Sequence, residues 1–414
     1  MMFLGGMMAD CCDKSPLLSD IAVVFLFLGL LLAPIFDYAF GGIFSYADEF
    51  AAILLASWAL LSGKKNLTGV HERRAVVCLT LICVFGLIGN VAHGYQNSFL
   101  AIAVDLFTCV KIFVSYLSAR IVLSGREGCL RAFQFIGKVF LAAALIGLVF
   151  HIAGIVQMGS GRVMFGIPCY QFVFSHPTNL VAYCVGFIAL MFVDSRPNRF
   201  WILTACILLL ASQRAKAIAF AFVVMFFLFY GMAKRDDRKP SKLIFLFLGF
   251  GAALLAMDQI QMYFFDAASA RALLMQDGLD IALRLFPLGS GFATFATYMS
   301  GVHYSPLYFE YGLNTVWGLW PTNPCFISDS FWPAVIAQFG FLGMIALVVL
   351  LVELFKSISH DAKRGNVRFA AYGMIPLYLL ILSTADASFF NFYGPFYALV
   401  IASIVNKARV GQAY

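Results

Sequence analysis

Charged residues are scarce in this chain, at 12% of its 414 residues. A soluble domain of this length carries about twice that share, so the composition excludes a soluble globular protein. Ten-residue segments of alternating polarity, which membrane barrels require, are also absent. Instead, 62% of the residues are hydrophobic and continuous apolar runs recur along the chain. The composition predicts an all-α polytopic membrane protein.

The motifs of several enzyme classes are missing as well. The chain has no P-loop, no HExxH zinc motif, no GxSxG nucleophile motif and no paired CxxC. The loops assigned to the cytoplasm are too short for a nucleotide-binding domain. This excludes an ATP-driven transporter on this chain and a sugar-nucleotide enzyme with a cytosolic Rossmann domain. The net charge of +7 fits basic loops facing an anionic leaflet, so no nucleic-acid partner is expected.

The ten cysteines show no metal-ligand spacing, and we expect no metal and no cofactor. Cys169 and Cys325 fall in predicted outer loops, where an oxidising compartment would allow them to pair. Two free thiols are the expectation that we prefer. No small-residue cleavage site follows the first apolar run, which is therefore expected to be a retained helix.

The apolar runs predict about twelve transmembrane helices in a single membrane domain, residues 1–414. The predicted spans are 19–36, 48–62, 75–92, 99–118, 132–154, 176–194, 199–213, 215–233, 243–258, 331–355, 369–385 and 391–406. With the N-terminus inside, most of the 28 Lys and Arg residues fall in inner segments. The positive-inside rule then places both termini in the cytoplasm.

Five cations fall on the outer side against that rule, namely Arg162, Arg214, Lys216, Arg271 and Arg284. Arg214 and Lys216 lie in the turn between two short arms, each roughly 22–28 Å long as helix. Such arms barely cross a core of about 30 Å, so the turn is expected level with the outer surface or below it. Cations there are costly, which favours an anion-binding role for them.

The longest outer segment is 259–330, which Gly and Pro break too often for a membrane span. Loops of this length are usually functional. Within it, residues 270–285 have the apolar spacing of an amphipathic helix. The segment is rich in Tyr and Trp, which suit either stacking on sugar rings or an ordinary interfacial belt. Arg271 and Arg284 are equally suited to anion binding and to pairing with Asp266, Asp277 or Asp280.

Candidate proton acceptors lie at the outer ends of two spans. Asp329 is suited to capping the helix that follows it, to acting as a general base, or to both. His176, in His176-Pro177-Thr178-Asn179, is a second candidate base, with Ser175 or His176 near a helix cap and Pro177 in the first turn. Asn179 is a candidate glycan ligand. Asp105 and Lys111 lie within one span. Lys111 marks either an interhelical contact or a pathway residue, and it is the best sequence argument for a transporter.

Several short motifs occur together in order along the chain. They are Gly161-Arg162, His176-Pro177-Thr178-Asn179, Ser212-Gln213-Arg214-Ala215-Lys216, Arg284-Leu285-Phe286-Pro287-Leu288-Gly289-Ser290-Gly291, Asp329-Ser330 and Gln338-Phe339-Gly340-Phe341-Leu342-Gly343. This order resembles the O-antigen polymerase and ligase superfamily of integral-membrane glycosyltransferases, over about residues 130–355. The resemblance implies a GT-C-type fold with a long outer loop.

The resemblance also implies the chemistry. Family members use undecaprenyl-diphosphate-linked glycans at the outer face of the bacterial plasma membrane, without metal or nucleotide. Arg162, Arg214 and Arg284 match arginine positions of the family that bind the diphosphate, and Arg271 is a possible fourth. Ligases of the family carry His where this chain has Asp329, which favours the polymerase branch.

The expected activity is therefore polymerisation of lipid-linked repeat units into O-antigen, capsule or a related surface polysaccharide. Asp329, or else His176, accepts the proton, and the arginines stabilise the leaving lipid diphosphate. The expected partners are lipid-linked glycans and membrane lipids, with a chain-length regulator and a flippase as further candidates. Two alternatives stay open: a ligase that transfers the glycan to lipid A core, and a transporter or flippase of lipid-linked sugars.

Overall fold

The computed structural model describes residues 16–62, 69–164, 166–194, 196–233, 269–384 and 386–410. It is 72% helical. Within these residues, five helices are long and apolar enough to cross a membrane, and four shorter helices are also apolar. These features are those of a helical membrane protein. The predicted span 243–258 lies outside the described residues; each of the other predicted spans coincides with helix over most of its length.

Fifteen α-helices and one hairpin make up the described part of the chain. They are α1 (Pro16–Phe40), α2 (Ala47–Leu61), α3 (Val70–His93), α4 (Phe99–Val122), α5 (Glu127–Ile152), β1 (Gly159–Met164), β2 (Ile167–Tyr170), α6 (Pro177–Met191), α7 (Arg199–Ala211), α8 (Ala215–Ala233), α9 (Ala270–Arg284), α10 (Tyr298–Val302), α11 (Pro306–Glu310), α12 (Phe331–Arg364), α13 (Phe369–Tyr372), α14 (Met374–Ser383) and α15 (Gly394–Val410). The two strands pair antiparallel. Helix α9 matches the predicted amphipathic helix.

Local sequence signals explain where several helices begin and end. Helix α3 ends at Gly94, whose φ of 65° is a left-handed conformation that glycine adopts without strain. Helix α4 begins after Ser98, whose side chain accepts a hydrogen bond from the amide of Ala101. Helix α6 has His176 as its N-cap and Pro177 in its first turn, as predicted.

The centre of the bundle is an aromatic core between α1, α5, α6 and α15. The rings of Phe27 and Phe133 stack with centroids 3.9 Å apart, and Phe396 lies 5.0 Å from Phe27. The hydroxyl of buried Tyr183 donates to the carbonyl of Leu30 at 2.7 Å. Because this hydroxyl has its hydrogen bond, the tyrosine is buried without the cost of an unpaired polar group.

A non-helical segment, residues 289–297, is buried among α3, α4 and α12. Its backbone groups are satisfied by three polar side chains, one from each helix. Asn90 accepts from the amide of Phe292 at 2.8 Å and donates to its carbonyl at 2.9 Å. Asp105 accepts from the amide of Ala293 at 2.7 Å, and Gln338 donates to the carbonyl of Phe295 at 2.7 Å. Irregular backbone is tolerated inside a membrane protein where the protein satisfies it in this way.

This segment revises the predicted outer loop 259–330. Pro287 is exposed, but Gly289, Ser290 and Gly291 are buried, and the amides of Ser290 and Gly291 donate to α12 carbonyls at 2.8 and 3.0 Å. The loop is therefore partly a buried support for the bundle.

The two intramembrane charges also have structural partners. Lys111 donates to Asp48 and, at 2.7 Å, to Glu49, both at the start of α2. Asp105 holds the buried segment described above. Lys111 thus makes an interhelical contact, one of the two roles predicted for it.

Gly340 is where the buried segment meets α12, and it provides a test of this packing. Its φ is +64°, and an added Cβ would collide with the backbone of Leu288. Strained φ alone costs about 1–3 kcal/mol. We expect Gly340→Ala to lower the thermal unfolding midpoint in detergent by several degrees. Gly29→Ala, at a helical glycine with open space around it, should leave the midpoint unchanged or raise it. Equal midpoints for the two variants would contradict this packing.

Candidate functional site

Five of the predicted site residues line one cavity of about 510 Å³. The cavity opens where α6, α9 and α12 begin, α7 gives way to α8, and α14 ends. Its lining residues are His176, Thr178, Val181, Arg214, Ala215, Lys216, Ala217, Arg271, Phe326, Asp329, Tyr378, Leu382 and Asp386. We call this space the cationic cavity, because three cations face two carboxylates in it.

Arg214 and His176 are in direct contact at the mouth of the cationic cavity. Arg214 lies in the tight turn between α7 and α8, where Gln213 adopts a φ of +50°. The turn holds the guanidinium against the N-cap of α6, and Nη2 of Arg214 lies 2.7 Å from Nε2 of His176. Because arginine only donates, the ring nitrogen must accept this hydrogen bond.

The surroundings of His176 favour its neutral form. The backbone amide of Thr178 also faces the ring, 3.3 Å from Nδ1. A neutral imidazole has one acceptor nitrogen, so when Nε2 accepts from Arg214 the ring proton lies on Nδ1 and the longer Thr178 contact is not a hydrogen bond. An imidazolium has no acceptor nitrogen, so charging the ring would break the Arg214 contact. Partial burial and the Arg214 cation lower the pKa of His176, and the Asp329 carboxylate opposes them. The imidazole is therefore neutral at pH 7, with the lone pair of Nε2 directed at Arg214.

Arg271 and Asp329 form an ion pair across the cavity. Nη2 of Arg271, in the first turn of α9, donates to Oδ2 of Asp329 at 2.9 Å. One prediction is corrected here: Asp329 does not cap α12, because the N-cap is Ser330, which makes no side-chain capping bond. Arg271 binds a carboxylate that was not predicted for it, Asp329, 58 residues away, because α9 packs against α12. Of the partners predicted for Arg271, Asp266 lies outside the described residues.

Lys216 lies in the first turn of α8 and faces the same cavity. In the part of the chain that the structure describes, its ammonium has no hydrogen bond and no ion pair. Asp386 and Asp329 attract it from a distance, whereas Arg271 and Arg214 repel it. A half-buried cation between two others, with no direct partner, is costly unless an anion joins it.

Asp386 is a site residue that the sequence prediction missed. It follows α14 and lines the cationic cavity, where Oδ1 accepts from the side-chain amide of Asn391 at 2.8 Å. Burial raises the pKa of Asp386, while the Asn391 hydrogen bond and the Lys216 charge lower it. The signal that selected Asp329, a carboxylate at the outer end of a span, was equally present at Asp386.

The other predicted site residues, Asn179, Arg284 and Arg162, do not line the cationic cavity in the described part of the structure. Asn179 lines a separate cavity on another side of the α6 N-terminus. Arg284 pairs with Glu310 and donates to the hydroxyl of Tyr95 at 3.0 Å, outside the cationic cavity. Arg162 lies in β1, and its side chain falls outside the described part. Cys169 is buried and Cys325 exposed, and both are free thiols, as preferred.

The predicted arginines therefore fall into two groups. Arg214 and Arg271 line the cationic cavity, whereas Arg284 pairs with Glu310 outside it. Its ion pair with Glu310 is more than a third exposed, and such pairs contribute about 0–1 kcal/mol. For the glycan transfer that the motif resemblance implies, we expect Arg284→Gln to change the rate by less than about tenfold, because the side chain does not line the cationic cavity. The measurement is transfer of a lipid-linked glycan by purified protein. A loss as large as that of an Arg214 variant would place Arg284 in the site after all.

The chain matches no protein-family model. It also has no match among curated protein sequences.

Proposed function

We propose that this protein is a GT-C-type glycosyltransferase that polymerises undecaprenyl-diphosphate-linked repeat units into a surface polysaccharide. The proposal combines the motif resemblance with the cationic cavity. We place the cavity at the outer face of a bacterial plasma membrane and both termini in the cytoplasm, following the distribution of basic residues. A chain-length regulator and a flippase are proposed partners.

The observation that carries the proposal is the convergence of Arg214, Lys216 and Arg271 on one cavity. The three groups come from two separate chain segments. A diphosphate bears charge on several oxygens, which two guanidinium groups and an ammonium are able to bind together. Near a protein surface, a charge pair about 4 Å apart gains roughly 4 kcal/mol at an effective dielectric constant of about 20. The bound diphosphate would supply the partner that Lys216 lacks.

The proposed reaction is a single group transfer. A hydroxyl of the acceptor repeat unit attacks the anomeric carbon of the donor, whose bond to the diphosphate oxygen breaks. The electron pair of that bond leaves with undecaprenyl diphosphate, and the hydroxyl proton passes to a carboxylate. The three cations stabilise the charge that develops on the leaving oxygen, a type of stabilisation that often dominates catalysis.

Three groups of the cavity are candidate proton acceptors. Asp329 and His176 were predicted from the sequence, but each contacts a guanidinium, Arg271 and Arg214 respectively. Among the described residues, the side chain of Asp386 is bound by the neutral amide of Asn391 alone, and burial raises its pKa toward neutral pH. General bases act best when their pKa is close to the working pH. We therefore favour Asp386 as the acceptor, with Asp329 holding Arg271 in place.

The contacts of the intramembrane charges give no special support to a transporter. Lys111 is bound by Asp48 and Glu49, and Asp105 by the backbone of Ala293, so both have structural roles. The ligase alternative uses the same donor chemistry, and the His-to-Asp difference at Asp329 weighs against it.

The deciding experiment is extension of a defined undecaprenyl-diphosphate-linked repeat unit by purified protein in nanodiscs. A ladder of products that grows one repeat unit at a time supports a polymerase. Transfer only to added lipid A core would identify a ligase. Binding of the donor without any transfer, in the presence of both acceptors, would overturn the enzymatic proposal and point to a transporter.

A further inference from the structure

A second cavity, of about 250 Å³, lies beside the first turn of α6. We call it the acidic cavity. It is enclosed by the ends of α1 and α6, the start of α2 and the approach to α15. Its lining residues are Leu30, Ala33, Pro34, Asp37, Phe44, Ser45, Ala47, Asp48, Ser175, Asn179 and Phe392.

The charge of this cavity is opposite to that of the cationic cavity. Its titratable lining residues are the carboxylates Asp37 and Asp48. Lys111 lies behind Asp48 and is shared between Asp48 and Glu49, so the group keeps an excess of negative charge. A diphosphate would be repelled here. A divalent cation is also a poor fit, because Asp48 already binds Lys111 and hard cations require six or more oxygen ligands.

The polar groups of the acidic cavity are arranged for a ligand that donates hydrogen bonds. Oδ1 of Asp37 is buried and has no hydrogen-bond partner among the described residues. A buried acceptor without a donor is costly, and a ligand hydroxyl would satisfy it. The Ser45 and Ser175 side chains and the Asn179 amide add further polar groups. Phe44 and Phe392 provide apolar walls of the kind that the C–H face of a sugar ring covers.

The two cavities lie on different sides of the N-terminus of α6. His176 and Thr178 line the cationic cavity, whereas Ser175 and Asn179 line the acidic cavity. A ligand in the acidic cavity therefore lies next to whatever the cationic cavity binds. A transferase with two glycan substrates needs two such neighbouring places, one for the diphosphate end of the donor and one for the sugar that attacks it.

We propose that the acidic cavity binds a neutral or amino sugar of the acceptor repeat unit and directs its hydroxyl past the α6 N-terminus toward the cationic cavity. This inference rests on the proposed glycosyltransferase function and assigns Asn179 to the acceptor. The recognised chemistry is a polyhydroxyl ring without phosphate.

The test uses two probes with purified full-length protein in nanodiscs. The first is the repeat-unit oligosaccharide of the native polysaccharide, released from its carrier by mild acid, which removes lipid and diphosphate. The second is undecaprenyl diphosphate. Binding of each probe is measured to wild-type protein, to Asp37→Asn and Asn179→Ala, and to Lys216→Met as the matched variant in the other cavity. Asp37→Asn keeps the side-chain shape, and thermal midpoints confirm that the variants fold.

We expect Asp37→Asn and Asn179→Ala to weaken oligosaccharide binding at least tenfold and to leave undecaprenyl diphosphate binding unchanged. Lys216→Met should show the reverse pattern. Oligosaccharide binding that both acidic-cavity variants leave intact would overturn the inference, while diphosphate binding through Lys216 would leave the proposed function standing. Failure of the wild-type protein to bind undecaprenyl diphosphate would instead overturn the proposed function.

Discussion

Lys216→Met is expected to lower the rate of glycan transfer by about 10²–10³-fold while the protein stays folded. Lys216 lines the cationic cavity and has no hydrogen bond or ion pair with any residue in the described ranges. Its role in the fold is therefore small. Its role in the reaction is large if it neutralises the departing diphosphate, because no other lysine among the described residues lines this cavity.

Lys216→Met is also expected to affect stability, in the direction opposite to its effect on activity. Burial penalises the Lys216 ammonium most, and together with repulsion by Arg271 and Arg214 it outweighs the attraction of Asp386 and Asp329. Replacing it with the apolar Met side chain removes that cost, so the thermal midpoint of the empty protein should stay equal or rise. Sites that bind charge are often maintained at the expense of stability. An activity loss accompanied by a stability gain is a result that simple misfolding does not produce.

The measurements for Lys216 are single-turnover transfer rates, undecaprenyl diphosphate affinity and thermal midpoints in nanodiscs. Lys216→Arg keeps the charge and serves as the control, with activity expected within about tenfold of wild type. A Lys216→Met protein that binds undecaprenyl diphosphate and transfers glycan as the wild type does would remove the central support of the proposed function.

The sequence predicted most of the helices because hydropathy reports burial in lipid directly. Span 132–154 lies within α5 apart from its last two residues, and 199–213 contains α7. Helix ends were harder to predict, since capping depends on individual residues. Ser175 or His176 was expected near a cap and His176 is the N-cap of α6, whereas Asp329 was a candidate cap and is not one. The reason is tertiary, because Asp329 is held by Arg271 from another helix.

Hydropathy did not predict that segment 289–297 is buried. Its residues lie in the segment predicted as an outer loop, yet Asn90, Asp105 and Gln338 satisfy its backbone inside the bundle. Those three polar residues were visible in apolar spans. Without the tertiary structure, Asp105 was equally consistent with a transport pathway, so its partner could not be inferred.

The candidate site was predicted only in part, because the sequence does not show which residues the fold brings together. The positive-inside rule selected Arg214, Lys216 and Arg271 because cations are costly on the outer side. It also selected Arg284, which the structure places on Glu310 instead. The rule indicates on which side of the membrane a cation lies, but not which of the outer cations line the same cavity. Asp386 was missed because outer carboxylates obey no such rule, and its proximity to Lys216 arises only when α8 packs against α14.

Asp386→Asn is expected to reduce the maximal rate of transfer by about 10²–10⁴-fold, the usual contribution of a general base. Donor binding should be unchanged or tighter, because the substitution removes a negative charge from the diphosphate cavity. Asp329→Asn should have a smaller effect on the maximal rate, since it releases Arg271 without removing the favoured base. Each variant replaces one carboxylate oxygen with an amide nitrogen and keeps the shape of the side chain. The two variants are therefore matched controls for one another.

The pH dependence of transfer distinguishes the two carboxylates further. A base must be deprotonated, so the rate falls as the pH drops through the pKa of Asp386. The Asn391 hydrogen bond lowers that pKa and the Asp329 charge raises it. Asn391→Ala should therefore move the acid limb of the profile to higher pH, and Asp329→Asn should move it to lower pH. If Asp329 were the base, Asp329→Asn would abolish the limb together with the activity, and Asp386→Asn would retain both; opposite shifts of a surviving limb are consistent only with Asp386 as the proton acceptor.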